Sequence, residues 1–280
     1  MLLPRIAFLA LTGALFFAAF LLGLRHMRRA PAGDAPGSLG RPASAAAIAA
    51  TLLAVGMLFY RAATAHSATL PLSDHFDAFL LLAVLLAAAV VYLAWTRRFR
   101  SFAFFLLPMI GCLLWLGALL VALSPERFRG DLWGNVWTLL HIVTVIGGTL
   151  CFALGCVGGA VYLLAHRQLR RGGPEAGFRG LPPLATIERF NLSMVYAGFP
   201  LLTLAMITGT LRLAQGSGTA AGWATWHVSA KILLAILAWL TFAVVAHVPL
   251  NPRLRGLHAA WLTIVGFSLF LATYAAVTWM

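Results

Sequence analysis

The sequence predicts an all-α polytopic membrane protein: a bundle of about eight transmembrane helices with both termini on the outer, periplasmic side. Three observations predict it. Of 280 residues, 62% are apolar and only 10% charged, where a soluble domain carries roughly a quarter charged, and the mean hydropathy is +0.93. The apolar residues fall in blocks of about twenty, long enough to cross a hydrocarbon core as helices. The net charge of +13 (20 Lys+Arg against 7 Asp+Glu) lies in short arginine-rich connections, which is how a membrane protein fixes its orientation. A soluble enzyme, a DNA-binding module and a disordered chain are excluded. No nucleic-acid partner is expected; the bilayer is.

The blocks, taken in order, lie near 4–24, 43–64, 76–95, 102–123, 138–165, 190–214, 226–247 and 258–279. The first is too long for the short apolar core of a cleavable signal, and Arg25, Arg28 and Arg29 follow it, so it reads as a span. Turn and charge signals punctuate the rest: PAGDAPGSLGRP after span one, RRFR after span three, RQLRRGGPEAGFRGLPP after span five and NPRLRG after span seven. If the spans alternate, these four connections share one face, and that face, with the adjoining span ends, carries fourteen arginines, against Arg5, Arg61, Arg127, Arg129 and Arg212 on the other. The arginine-rich face is therefore cytoplasmic. Within span six, Pro200 predicts a kink, and Gly198 and Gly209 predict close packing. Asp77, Glu188, Arg189, Arg212 and Lys231 lie near span ends, within snorkelling reach of water. No separate soluble domain and no internal repeat of transporter type is visible.

Chemistry concentrates on the outer side. Trp133, Trp137 and His141 lead into span five, and Trp223, His227 and Lys231 enter span seven beside Trp226. Steps of four drift only about 40° around a helix, so each stretch presents indole rings next to an imidazole on one face. Such a surface suits a flat aromatic macrocycle carrying iron and carboxylates: Trp stacks, His ligates, and Lys231, Arg127 or Arg129 pairs with the acids. The same tryptophans also fit an interfacial belt that holds no cofactor. His247, at the other end of span seven and about 30 Å from His227 by helical rise, is a second candidate. Cys112, Cys151 and Cys156 sit singly in apolar runs without CxxC or CxxCH spacing, which leaves redox and zinc roles unsupported. No GxSxG, HExxH or P-loop occurs, so no catalytic residue is assigned.

Several stretches in order resemble the cytochrome c assembly family of CcsA/HemX/YpjD-like membrane proteins. They are LPLSDHFDAFLLLAVLLAAAVVYLAW (70–95), FFLLPMIGCLLWL (104–116), WTLLHIVTVIGGTLCFALGCVGGAVYLL (137–164), ERFNLSMVYAGFPLLTLAMITGTLRL (188–213), GWATWHVSAKILLAILAWLTFAVVAH (222–247) and RGLHAAWLTIVGFSLFLATY (255–274). The resemblance divides the chain into a first helix and cytoplasmic loop (1–42) and an assembly-type transmembrane domain (43–280). It implies a haem-binding, multi-pass protein of the bacterial inner membrane, taking part in cytochrome c assembly with haem b as cofactor and maturation proteins or apocytochrome as partners. His141 matches the family's first outer haem ligand, Trp223 and Trp226 match its tryptophan-rich segment, and His247 matches a membrane-embedded histidine. The segment departs from the family at Trp226–His227–Val228–Ser229–Ala230–Lys231, where only Trp and Lys are kept, and no histidine follows the last helix up to Met280. His227 is a candidate replacement ligand to the iron. These departures favour haem handling over enzymatic thioether synthesis. The alternative is a cofactor-free scaffold or regulator, of tetrapyrrole metabolism or of a partner complex, that keeps the family fold.

Overall fold

The computed structural model describes residues 2–29, 40–64, 75–96, 100–123, 136–170, 181–216, 230–248 and 255–277. Eight helices account for nearly all of them: α1 (Leu2–Arg29), α2 (Arg41–Thr64), α3 (His75–Trp95), α4 (Arg100–Leu123), α5 (Val136–Arg170), α6 (Leu184–Gly216), α7 (Ala230–Ala246) and α8 (Leu257–Val277). Seven are long and apolar enough to cross a membrane; the described apolar part of α7, Ile232–Ala246, is shorter. Each expected span coincides with one helix. Several run past their apolar limits, α1 through Arg28 and Arg29, α5 to Arg170 and α6 back to Leu184. Hydropathy ends where charge begins, whereas the hydrogen-bonded backbone continues into the interface, where long basic side chains are cheap.

The chain forms two compact units. One comprises Met1–Phe128 and Leu164–Pro183, the other Arg129–Leu163 and Leu184–Met280. In the first, α1 packs on α2 and α4, and α3 on α4 and α2. Its core is aromatic, with Phe16, Phe76, Phe102 and Phe104 fully buried and Phe20 against Phe104 at 4.7 Å between centroids. On α2 the buried residues are Ala43, Ala47, Ala50 and Ala54, while Leu52, Phe59 and Tyr60 are exposed. Small residues turned inward and large ones outward are what lipid demands, because close backbone approach replaces the hydrophobic drive between helices. Gly40, at φ +73°, turns the chain into α2, and a Cβ there would lie 2.7 Å from the His26 ring.

The first unit also buries an ion pair. Asp77, at the start of α3, is fully buried and accepts both Nε–H and Nη2–H of Arg61, each at 2.8 Å. The guanidinium carbon of Arg61 stands 5.6 Å from the Phe76 ring centre and that of Arg5 5.9 Å. This corrects the expectation that Asp77 reaches water. An α-helix start cannot snorkel a side chain as short as aspartate past a packed core, so the carboxylate takes a cation from α2 instead.

In the second unit α6 packs on α7, and α7 and α6 on α8. Phe152 of α5 stacks on Phe242 of α7 with centroids 3.6 Å apart and meets Phe270 of α8 edge-on at 5.9 Å. Tyr274 continues the series, its hydroxyl 3.1 Å from Thr149 Oγ1. Gly198 packs against Phe152 and Cys151, as expected, and Pro200 lies inside α6. Glu188 is drawn inward too, accepting the Gly256 N–H at 3.2 Å where α8 begins.

Candidate functional site

His141 lies in the second turn of α5, and α6 supplies its surroundings. Its Nδ1 is 2.8 Å from the carbonyl oxygen of Ala205. A carbonyl only accepts, so Nδ1 carries the hydrogen, and the neutral ring then keeps its lone pair on Nε2. Thr208 Oγ1 stands 3.4 Å from the same nitrogen, while its own hydrogen goes to the Leu204 carbonyl at 2.7 Å. Gly209 completes the contact: a Cβ at that position would sit 3.0 Å from His141 Cε1 and 3.2 Å from Nδ1. The ring is half-buried, whereas Ala205 and Thr208 are buried. A metal-ligating histidine usually donates its other ring N–H to a carbonyl or carboxylate, so the donor chemistry of His141 would fit a ligand to haem iron.

Trp137 lies one turn earlier on α5 and is 36% exposed, so the expected indole–imidazole spacing of four falls on a single helix. His247 follows α7 directly and is exposed. Its Nδ1–H donates to the Ala243 carbonyl at 2.7 Å, giving the same tautomer as His141. Trp223, Trp226 and His227 lie outside the described residues, as do Trp133, Arg127 and Arg129. Lys231 falls in the first turn of α7, its side chain outside the described set. Among the described residues, no group of three or more His, Cys, Asp or Glu is arranged to hold a bare metal ion.

Sequence reasoning missed the partners of His141. A carbonyl acceptor leaves no mark in a sequence, and Gly209 was read as a packing residue without its partner. The one available signal was the juxtaposition of Thr208 and Gly209 in an otherwise apolar stretch of α6.

These features define a multi-pass helical membrane protein with a carbonyl-oriented histidine on α5. Residues 72–280 match the family described as Cytochrome C assembly protein, and the chain belongs to that family. It is similar to the protein named Cytochrome c biogenesis protein CcsA from Guillardia theta, 22% identical over 159 residues, which are 51% of each chain. It is also similar to the proteins of that name from Chlamydomonas reinhardtii (23% identity, 50% of this chain, 37% of the relative) and Thermosynechococcus vestitus (29%, 33% and 27%). The chain thus spans about half or less of the length of these curated relatives. No solved structure matches it.

Proposed function

We propose that this chain is a haem-handling protein of cytochrome c biogenesis in the bacterial inner membrane, with both termini periplasmic and haem b held at the outer face. The observation that carries the reading is the Nδ1–H bond from His141 to the Ala205 carbonyl at 2.8 Å, in a chain of the cytochrome C assembly family. When bound, haem b would supply an iron that takes nitrogen ligands. His141 would offer Nε2 to that iron, with its tautomer fixed from α6. Trp137, one turn along, and Trp223 and Trp226 give aromatic surface for the macrocycle, and Lys231 pairs with a propionate. His227 would be the candidate second ligand to that iron. His247, exposed at the cytoplasmic end of α7 and in the same tautomer, meets haem on the other side. The residues bind, orient and shield; thioether formation belongs to partner maturation proteins acting on apocytochrome. In this reading 43–280 is the assembly domain and 1–42 an added first helix and loop.

The test is haem content of detergent-purified His141→Ala protein. We expect occupancy to fall to about a tenth of wild type or less, the lower end of what loss of an outer-shell partner alone costs a metal site, with partial return on adding imidazole. Unchanged occupancy and an unchanged Soret band would contradict the assignment.

A further inference from the structure

We infer that the Ala205–Thr208–Gly209 face of α6 is the positioning element for the His141 ligand, and that Gly209 and Thr208 set how strongly Nε2 binds iron. The inference rests on the haem reading above and extends it to residues that never touch the macrocycle's iron. Three contacts carry it. By helix register the Ala205 carbonyl already accepts the Gly209 N–H, so His141 Nδ1–H takes its second lone pair, at 2.8 Å. The Thr208 hydroxyl has two backbone acceptors for its single hydrogen, Leu204 at 2.7 Å and Ala205 at 3.2 Å, which leaves oxygen lone pairs for His141 Nδ1 at 3.4 Å. The Nδ1–H is therefore shared between a near and a far acceptor, both in one buried place. Gly209 makes this approach possible. With any Cβ, contacts of 3.0 and 3.2 Å to ring atoms would make the imidazole give by a few tenths of an ångström, which lengthens its 2.8 Å bond to the Ala205 carbonyl.

Partial negative charge on two oxygens facing Nδ1–H makes the ring more basic at Nε2, and two acceptors on one side also fix its rotation. Both effects act through His141, so these are positioning residues. Their consequence is separable from a packing role, because a merely structural glycine would change stability without changing which ring nitrogen carries the hydrogen.

The experiment uses the full-length protein in detergent with 15N-labelled histidine, and His141→Ala to assign the His141 signals by difference. Wild type should give a neutral His141 protonated at Nδ1. Gly209→Ala, in monodisperse protein, should lose that single-tautomer signature and bind added haemin about 10- to 100-fold more weakly, as outer-shell losses do. Thr208→Val keeps the shape and removes the oxygen; it should retain the Nδ1–H tautomer and weaken haemin binding about three- to tenfold, the worth of one modest hydrogen bond. A wild-type His141 protonated at Nε2 would overturn the inference, as would a Gly209→Ala protein with wild-type tautomer and affinity. If wild type takes up no haemin, the haem reading fails, while the tautomer measurements still decide whether α6 orients this ring.

Discussion

Asp77 and Arg61 set the energetic tone at the scale of single residues. A carboxylate with no exposed surface is compensated by two guanidinium N–H groups that meet its two oxygens at 2.8 Å. Removing one partner leaves the other charge buried and uncompensated, which costs about 3–5 kcal/mol, whereas replacing both with apolar residues is often neutral. Asp77→Ala should therefore lower the thermal midpoint in detergent sharply, and Asp77→Leu combined with Arg61→Met should recover most of the loss. A double variant as unstable as the single one would contradict this account. The sequence places Asp77 near a span end but does not show its partner, because Arg61 lies sixteen residues away on the preceding helix and no local pattern links them. His141 was legible for the converse reason: an imidazole four residues after Trp137 on one helix face is a local pattern.

At the scale of helices, glycine decides which faces meet. Gly13 of α1 and Gly111 of α4 face each other backbone to backbone: a Cβ on Gly111 would lie 2.9 Å from the Gly13 carbonyl oxygen, and one on Gly13 would lie 2.9 Å from the Trp115 ring. The Trp115 Nε1–H then donates to the Ala10 carbonyl at 3.1 Å, tying the same pair of helices. Gly56 on α2 has nothing within 4 Å of its Cβ position. Gly111→Ala should destabilise the protein by about 1–3 kcal/mol through overpacking. Gly56→Ala should leave it unchanged or stabilise it by up to about 1 kcal/mol from helix propensity. Comparing the two thermal midpoints checks the claim, and equal effects would refute it. The eight helices themselves were readable because a bilayer demands long apolar runs. Helix ends were read short, at α6 by six residues, because charge stops hydropathy without stopping the backbone ladder. Packing partners such as Gly13 with Gly111 left no signal, since long-range proximity is not a property of either segment.

For the whole molecule, the arginine asymmetry makes a prediction of its own. Alkaline phosphatase fused after Thr64 or at the C-terminus should be active, and fused within 171–180 or after Arg29 it should be inactive; the reverse pattern would invert the proposed orientation. The haem surface is a different matter. The tryptophan-rich stretch around Trp223 and Trp226 was named from spacing and family resemblance alone, and neither determines how those rings stand against His141.

The central claim, that this chain holds haem through His141, is tested most directly by the absorption spectrum of detergent-purified protein, oxidised and dithionite-reduced, with a pyridine haemochrome assay for stoichiometry. The account predicts a Soret band at close to one haem b per chain, lost in His141→Ala. A colourless preparation that also fails to take up added haemin would contradict it and would leave the family fold serving here without its cofactor.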